Sequence, residues 1–164
     1  MKNFIITCWN KLLLITIMMF TALIGLCGCE GDYKKTVTSV ETMTLTLHGM
    51  RGTSVYEIAD EAGKTELRRY REIFSSGESI LELEKSTFCD TQEFIELMNT
   101  CGVIRWDGFH GKHPKNVKDG IMFNFTATVN GGQAICADGS ANFPKGYHEF
   151  VRELNSMLAE CENN

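Results

Sequence analysis

The chain has 164 residues, a formal net charge of −5, 43% hydrophobic residues and seven cysteines. Its length is that of one domain, since a single hydrophobic core serves about 100–150 residues. The acidic excess argues against nucleic-acid binding, which needs a basic face to neutralise phosphates.

The first 28 residues have the composition of a secretory signal peptide rather than of a folded domain. Lys2 and Lys11 are the only charged residues before Cys29, and an apolar run extends from Leu12 to Leu26. This run of about 15 residues fits the apolar region of a signal peptide and falls short of the roughly 20 residues that span a bilayer. We therefore predict that residues 1–28 are not part of the fold.

The signal-like segment ends in Leu26-Cys27-Gly28-Cys29, with a small residue directly before the final cysteine. This arrangement resembles the lipobox of bacterial lipoprotein signal peptides. The resemblance implies cleavage after Gly28, and a Cys29 that becomes the new N-terminus and carries a diacylglycerol thioether. Two or three acyl chains hold a protein firmly on a membrane, at about 0.8 kcal/mol per buried CH₂. Three alternatives stay open: Cys27 as the acceptor, a Cys27–Cys29 metal or redox pair, and an uncleaved signal anchor.

The mature chain is predicted to contain a polar tether, residues 29–39, and a single domain, residues 40–164. Without Lys2 and Lys11, 14 basic residues stand against 21 acidic ones, a net charge of −7. This charge argues against close docking on anionic lipid beyond the acyl anchor. The expected location is the outer face of a bacterial cell membrane. The expected partners are the membrane itself and an envelope protein or glycan, with no nucleic acid and no cofactor.

The cysteines of the domain leave their redox state open. They are Cys89, Cys101, Cys136 and Cys161. An even number outside the cytoplasm permits disulfides. A Cys89–Cys101 bond is excluded, because the two flank a predicted helix and would lie roughly 18 Å apart, whereas a disulfide needs Cα atoms within about 7 Å. Free buried thiols and the other pairings are both compatible with the sequence.

The first predicted elements are strands joined by short turns. Alternating apolar and polar residues predict strands over residues 42–48, 54–60, 65–74 and 79–85. Residues 65–74 also fit a helical stripe, and we choose the strand because a hairpin turn precedes the segment.

Two helices and two further strands follow. A D-x-x-E capping box at Asp90 begins a helix, and Gly102 ends it. Strands over residues 121–129 and 133–138 are joined by an Asn-Gly-Gly turn, and a C-terminal helix carries the apolar stripe Tyr147, Phe150, Val151, Leu154, Leu158 and Cys161. The order ββββ-α-ββ-α predicts an α+β domain, an antiparallel sheet of about six strands with two helices packed on one face.

The loop RWDGFHGKHPKNVKDG, residues 105–120, is the segment most relevant to function. Loops of this length in a compact domain are often functional, and aromatic rings beside charged groups suit stacking on sugars or on a partner's side chains. The candidate binding surface consists of Trp106, Asp107, Phe109, His110, His113 and Asp119. The competing interpretation is that Trp106 and Phe109 turn inward and pin the loop.

The same loop also suggests a catalytic alternative. Asp107, His110 and His113 are residue types that bind zinc or transfer protons. However, a loop with Gly108 and Gly111 does not fix the two histidines, and nothing in the sequence places a nucleophile beside them. We therefore favour a non-catalytic binding module, with a small metal-dependent or hydrolytic enzyme using these three residues as the alternative. A third interpretation is an accessory subunit of an envelope complex.

About the last 60 residues carry the pattern WDGF…DGxxF…A…GSxNFP…F, which resembles stretches in uncharacterised lipoproteins of Gram-positive bacteria. The matching residues are Trp106, Asp107, Gly108, Phe109, Asp119, Gly120, Phe123, Gly139, Ser140, Asn142, Phe143 and Pro144. The resemblance implies no activity. It suggests that the loop and the segment DGSANFP belong to one structural unit.

Overall fold

The computed structural model describes residues 35–61, 64–75 and 77–160. Cys27, Cys29 and Cys161 lie outside these residues. The strands are β1 Val40–Gly49, β2 Gly52–Glu61, β3 Lys64–Ser75, β4 Glu78–Cys89, β5 Phe109–Gly111, β6 Met122–Val129 and β7 Gln133–Ser140. The helices are α1 Thr91–Thr100 and α2 Tyr147–Glu160, and a 3-10 turn, η1, spans Val103–Trp106.

The strands form one sheet in the order β4-β3-β2-β1-β6-β7-β5. β1 to β4 form an antiparallel meander, β6 pairs with β1, and β7 pairs with β6. β5 lies inside the predicted loop and runs parallel to β7. The domain is therefore mixed α/β and rich in strands, with two helices in its described part. The prediction of a purely antiparallel sheet of about six strands is wrong, because β5 adds a seventh strand in the parallel direction.

The alternation in β1 explains which face of the sheet is buried. Met43 and Leu45 are at most 1% exposed, and they point to the same side as Phe123 and Phe125 of β6. Thr42, Thr44 and Thr46 alternate with them and lie on the opposite face, as period-2 geometry requires. The ambiguous segment 65–74 is a strand that pairs on both sides, with β2 and with β4.

Both helices cover the same face of the sheet. The Asp90 carboxylate caps α1 by accepting hydrogen bonds from the backbone N–H groups of Gln92 (2.8 Å) and Glu93 (3.1 Å). The buried residues of α1 and α2 join the inward side chains of the strands in one core cluster: Phe94, Ile95 and Met98 with Phe150, Leu154 and Leu158. Within the described ranges, no helix is both long and apolar enough to cross a membrane.

Part of the predicted tether packs on the domain. Val37 is 2% exposed and belongs to the core cluster. Its N–H donates to the Asn99 Oδ1 atom at 2.8 Å, and the Asn99 side-chain amide donates to the Val37 carbonyl at 2.9 Å. The packed part of the chain therefore includes Val37, three residues before β1. Among the described residues, Cys89, Cys101 and Cys136 are free cysteines and form no disulfide with one another.

Candidate functional site

Trp106 of the candidate binding surface belongs to the core. It is 1% exposed, and its ring meets Phe125 and Phe150 edge-on, with centroids 5.1 and 5.4 Å away. The indole N–H donates to the Lys145 carbonyl at 3.0 Å. The inward interpretation therefore holds for Trp106, and its ring is not available to a partner.

Asp107 attaches the loop to the sheet. Its Oδ1 atom accepts a hydrogen bond from the Cys136 N–H at 3.0 Å, and the Gly108 N–H donates to the Cys136 carbonyl at 2.9 Å. These two bonds align the following residues with β7, so that β5 forms directly after them. The carboxylate of Asp107 thus has a structural partner.

The two histidines are also bonded to β7. The Nδ1 atom of His110 lies 2.5 Å from an Asp138 carboxylate oxygen, in an exposed pair. His113 contacts the Ser140 hydroxyl through Nδ1 at 2.8 Å and the Val117 carbonyl through Nε2 at 2.7 Å. Since a carbonyl only accepts hydrogen bonds, Nε2 of His113 carries a proton. Neither ring nitrogen of His113 is left free for a metal.

The predicted catalytic or metal-binding residues are not brought together. Asp107, His110 and His113 bond to three different positions of β7. In the part of the chain that the structure describes, no three His, Cys, Asp or Glu side chains form a group that would hold a metal ion. Asp119 lies elsewhere, in an open cavity of about 470 Å³ that Arg51 also lines.

Phe109 links the loop to the segment before α2. Its ring is half-buried and lies 6.3 Å from Phe123, which in turn packs 5.5 Å from Phe143. Phe143 stacks on Tyr147 at 4.4 Å, and burial raises the pKa of the Tyr147 phenol well above its ordinary value. The loop and residues 138–147 therefore make contact along one aromatic row.

A cavity of about 570 Å³ opens beside this row. We call it the basic cavity; it is lined by η1, the end of α1 and residues 143–146. Ile104, Phe109 and Phe143, all half-buried, supply apolar lining. Gly146 closes one side with φ +85°, and a Cβ there would lie 2.2 Å from the Cys101 carbonyl oxygen. The volume is within the range of sites that bind small molecules.

Three cations line the basic cavity, and they are Lys35, Arg105 and Lys145. Among the described residues, none of the three takes part in an ion pair. The carboxylate that lines the cavity belongs to Glu149, and Arg152 pairs with it at 3.1 Å. The cavity is therefore positively charged although the chain as a whole is acidic.

Of the predicted surface residues, Trp106 and Phe109 line the basic cavity, and sequence reasoning missed the rest of it. Lys35, Arg105 and Lys145 are separated by 70 and 40 positions, so no local window of the sequence shows them as a cluster. Arg105 belongs to the predicted loop, whereas the lysines of that loop, Lys112, Lys115 and Lys118, do not line the cavity. The aromatic residues of the loop are the one feature of the sequence that points to a binding site in this region.

In comparisons with known proteins, no family model, no curated protein and no solved structure matches the chain. Function is therefore argued from the site alone.

Proposed function

We propose that the chain is a lipid-anchored, non-catalytic binding module on the outer face of a bacterial cell membrane, and that its ligand occupies the basic cavity. The observation that carries this proposal is the cavity itself, about 570 Å³, which is lined by apolar side chains and by three cations that form no ion pair with another described residue. A concave, largely apolar site with a few polar groups is the usual form of a small-molecule binding site.

The anchor rests on the lipobox resemblance at Cys29. If Cys29 carries the acyl chains, the eight residue steps to the buried Val37 span at most about 28 Å. The domain is then held close to the membrane surface, and any ligand must be reachable from there.

The hydrogen bonds of the loop favour binding over catalysis. The contact between Ser140 and His113 is the nearest approach to a hydrolytic pair. In a catalytic triad a carboxylate orients the histidine through its second nitrogen. Here that nitrogen donates to the Val117 carbonyl, and no described carboxylate is bonded to His113. Asp107 and His110 are occupied elsewhere, so the enzyme alternative has no assembled group to support it.

The anchor is tested by metabolic labelling of cells that express the full chain with radioactive palmitate. Cys29→Ser should abolish the label and release the protein from the membrane fraction. Cys27→Ser is the matched control and should keep both the label and the membrane association. Label that is lost with Cys27→Ser and kept with Cys29→Ser would overturn the assignment of Cys29.

The ligand site is tested by photo-crosslinking in the same cells. A photoreactive phenylalanine analogue replaces Thr100, an exposed residue that lines the basic cavity. The control position is Thr126, which is exposed on the opposite face of the sheet. Intact-mass analysis should show a discrete small-molecule adduct at Thr100 and none at Thr126. No adduct at Thr100, or the same adduct at both positions, would overturn the proposed site.

A further inference from the structure

We propose that the basic cavity binds the phosphate group of its ligand, while an apolar part of the same ligand lies against Phe109 and Phe143. This inference rests on the proposed function in one respect, since it assigns a ligand class to the same cavity.

The charges of the lining select an anion. Arg105 offers a planar donor fork that fits a phosphate bidentately, and Lys35 and Lys145 add point charges. Glu149 shares Arg152 with Glu153, so Arg152 cancels only part of its charge, but the three cations of the lining outnumber this one carboxylate. A phosphate group would supply the ion-pair partner that the described residues do not give to these three cations.

The apolar side chains of the lining indicate that the ligand contains an apolar group in addition to the phosphate. Ile104, Phe109 and Phe143 each retain exposed surface, whereas the neighbouring Trp106 is fully buried. Exposed ring surface beside cations suits an apolar or aromatic group joined to the phosphate, because burying that surface adds binding energy that a bare ion cannot supply. The ligand class is therefore a phosphate ester with an apolar substituent.

Two sources present this chemistry at a membrane, a phospholipid headgroup and a soluble phosphate ester. Lys35 lies six residue steps from Cys29, which corresponds to at most about 21 Å of extended chain from the proposed anchor. The cavity is thus within reach of lipid headgroups, and it is also open to soluble phosphate esters.

Binding is measured by calorimetry on the full processed chain in dodecyl maltoside micelles, which contain no phosphate. The probes are phenyl phosphate, phenol and inorganic phosphate. Phenyl phosphate should bind more tightly than either of the others, and its affinity should fall as salt is added.

Arg105→Gln and Lys145→Gln should each weaken phenyl phosphate binding about tenfold, the usual effect of losing one hydrogen bond to a charged group. Lys112→Gln, which changes an exposed lysine of the loop outside the cavity, should bind like the parent chain.

Adding phosphatidylglycerol to the micelles separates the two sources. Competition with phenyl phosphate identifies a lipid headgroup as the occupant, and unchanged binding identifies a soluble ester.

Three results would overturn the inference: phenol binding as tight as that of phenyl phosphate, no binding of phenyl phosphate, or full affinity in both glutamine variants. A phosphorus-free adduct at Thr100 would overturn the phosphate assignment while leaving the proposed function intact, whereas the absence of any adduct removes the proposed function itself.

Discussion

The indole N–H of Trp106 donates a hydrogen bond of 3.0 Å to the backbone carbonyl of Lys145. This bond joins the 3-10 turn η1 to the segment that leads into α2, and it positions one side of the basic cavity. Because the same indole packs between Phe125 and Phe150, the core and the cavity share one side chain.

We expect substitutions of Trp106 to destabilise the whole domain. Trp106→Ala should lower the free energy of unfolding by about 3–5 kcal/mol, since it leaves a large cavity in the core. Trp106→Phe should cost about 1–3 kcal/mol, because the Lys145 carbonyl loses its donor while much of the packing survives. Urea denaturation measures both values.

Phe74→Ala is the control for these variants. Phe74 is 82% exposed, and its removal should change the free energy of unfolding by less than about 0.5 kcal/mol. A Trp106→Ala protein as stable as the Phe74→Ala protein would contradict the core assignment.

The histidines of the loop should prove structural. His110→Ala and His113→Ala should leave the zinc content of the purified protein unchanged, as measured by elemental mass spectrometry. His113→Ala should lower the free energy of unfolding by about 1 kcal/mol, because the exposed loop loses its bonds to Ser140 and Val117. Stoichiometric zinc that disappears in either variant would show that these residues bind metal after all.

Much of the fold follows from periodicity in the sequence. β1, β6 and β7 have clear period-2 alternation, and each lies where the pattern predicts it. Residues 65–74 fit two periods, and pairing with neighbours on both sides decides for the strand. Pairing partners of this kind are not visible in a local window of sequence.

β5 and the basic cavity depend on contacts between distant residues. Phe109–Gly111 is too short to show a period, and its position follows from the bonds of Asp107 and Gly108 to Cys136, 28 to 29 positions away. These bonds also fix the direction of β5, which runs parallel to β7. Because no local pattern in the sequence shows these long-range bonds, the sequence predicts a purely antiparallel sheet. Trp106 looked like a surface residue because its neighbours are polar, although η1 turns its ring inward.

The reactivity of the thiols should follow their burial. Burial, with a further contribution from Glu149, raises the pKa of the Cys101 thiol to about 11, and burial with Glu93 raises the pKa of Cys89 to about 11. Near pH 8 only about one in a thousand of these thiols is ionised, and the thiolate is the reactive form. Iodoacetamide should therefore modify the exposed Cys136 first.

Peptide mapping by mass spectrometry gives the three alkylation rates. In urea the rates should become similar, which provides the control. Alkylation of Cys101 in the folded protein at the rate of Cys136 would show that α1 and the segment around Gly146 open readily.

Glu72 should make the domain less stable in acid. Its carboxylate accepts hydrogen bonds from the Ser79 hydroxyl and from the Thr53 N–H, the latter at 3.0 Å, and these bonds lower the pKa of Glu72 from its ordinary value of 4.5. A carboxylate whose pKa is lower in the folded state than in the unfolded state stabilises the fold at any pH above its unfolded-state pKa. This stabilisation is lost as the pH falls through the folded-state pKa. Glu72→Gln should therefore lose less stability than the parent chain between neutral pH and a pH of about 3.

Urea denaturation at the two pH values tests this expectation. Glu82→Gln is the control on the same hairpin, because no hydrogen bond between described side chains is found for Glu82. Parallel acid dependence in the parent chain and Glu72→Gln would rule out the contribution of Glu72.

Gly111 should tolerate no side chain, because the backbone of Asn142 crosses directly over it. A Cβ at Gly111 would lie 2.3 Å from the Asn142 carbonyl oxygen, and the neighbouring Gly139 is equally crowded, at 2.4 Å from the same atom. Gly111→Ala must push β5 away from β7 or displace Asn142, and overpacking of this kind costs about 1–3 kcal/mol.

Gly49→Ala is the matched control, since its Cβ would meet Ile121 at an ordinary 3.7 Å and its backbone is not left-handed. Urea denaturation should separate the two variants clearly. A Gly111→Ala protein as stable as Gly49→Ala would mean that β5 and Asn142 do not pack closely in solution, and the seventh strand would then lose its structural basis.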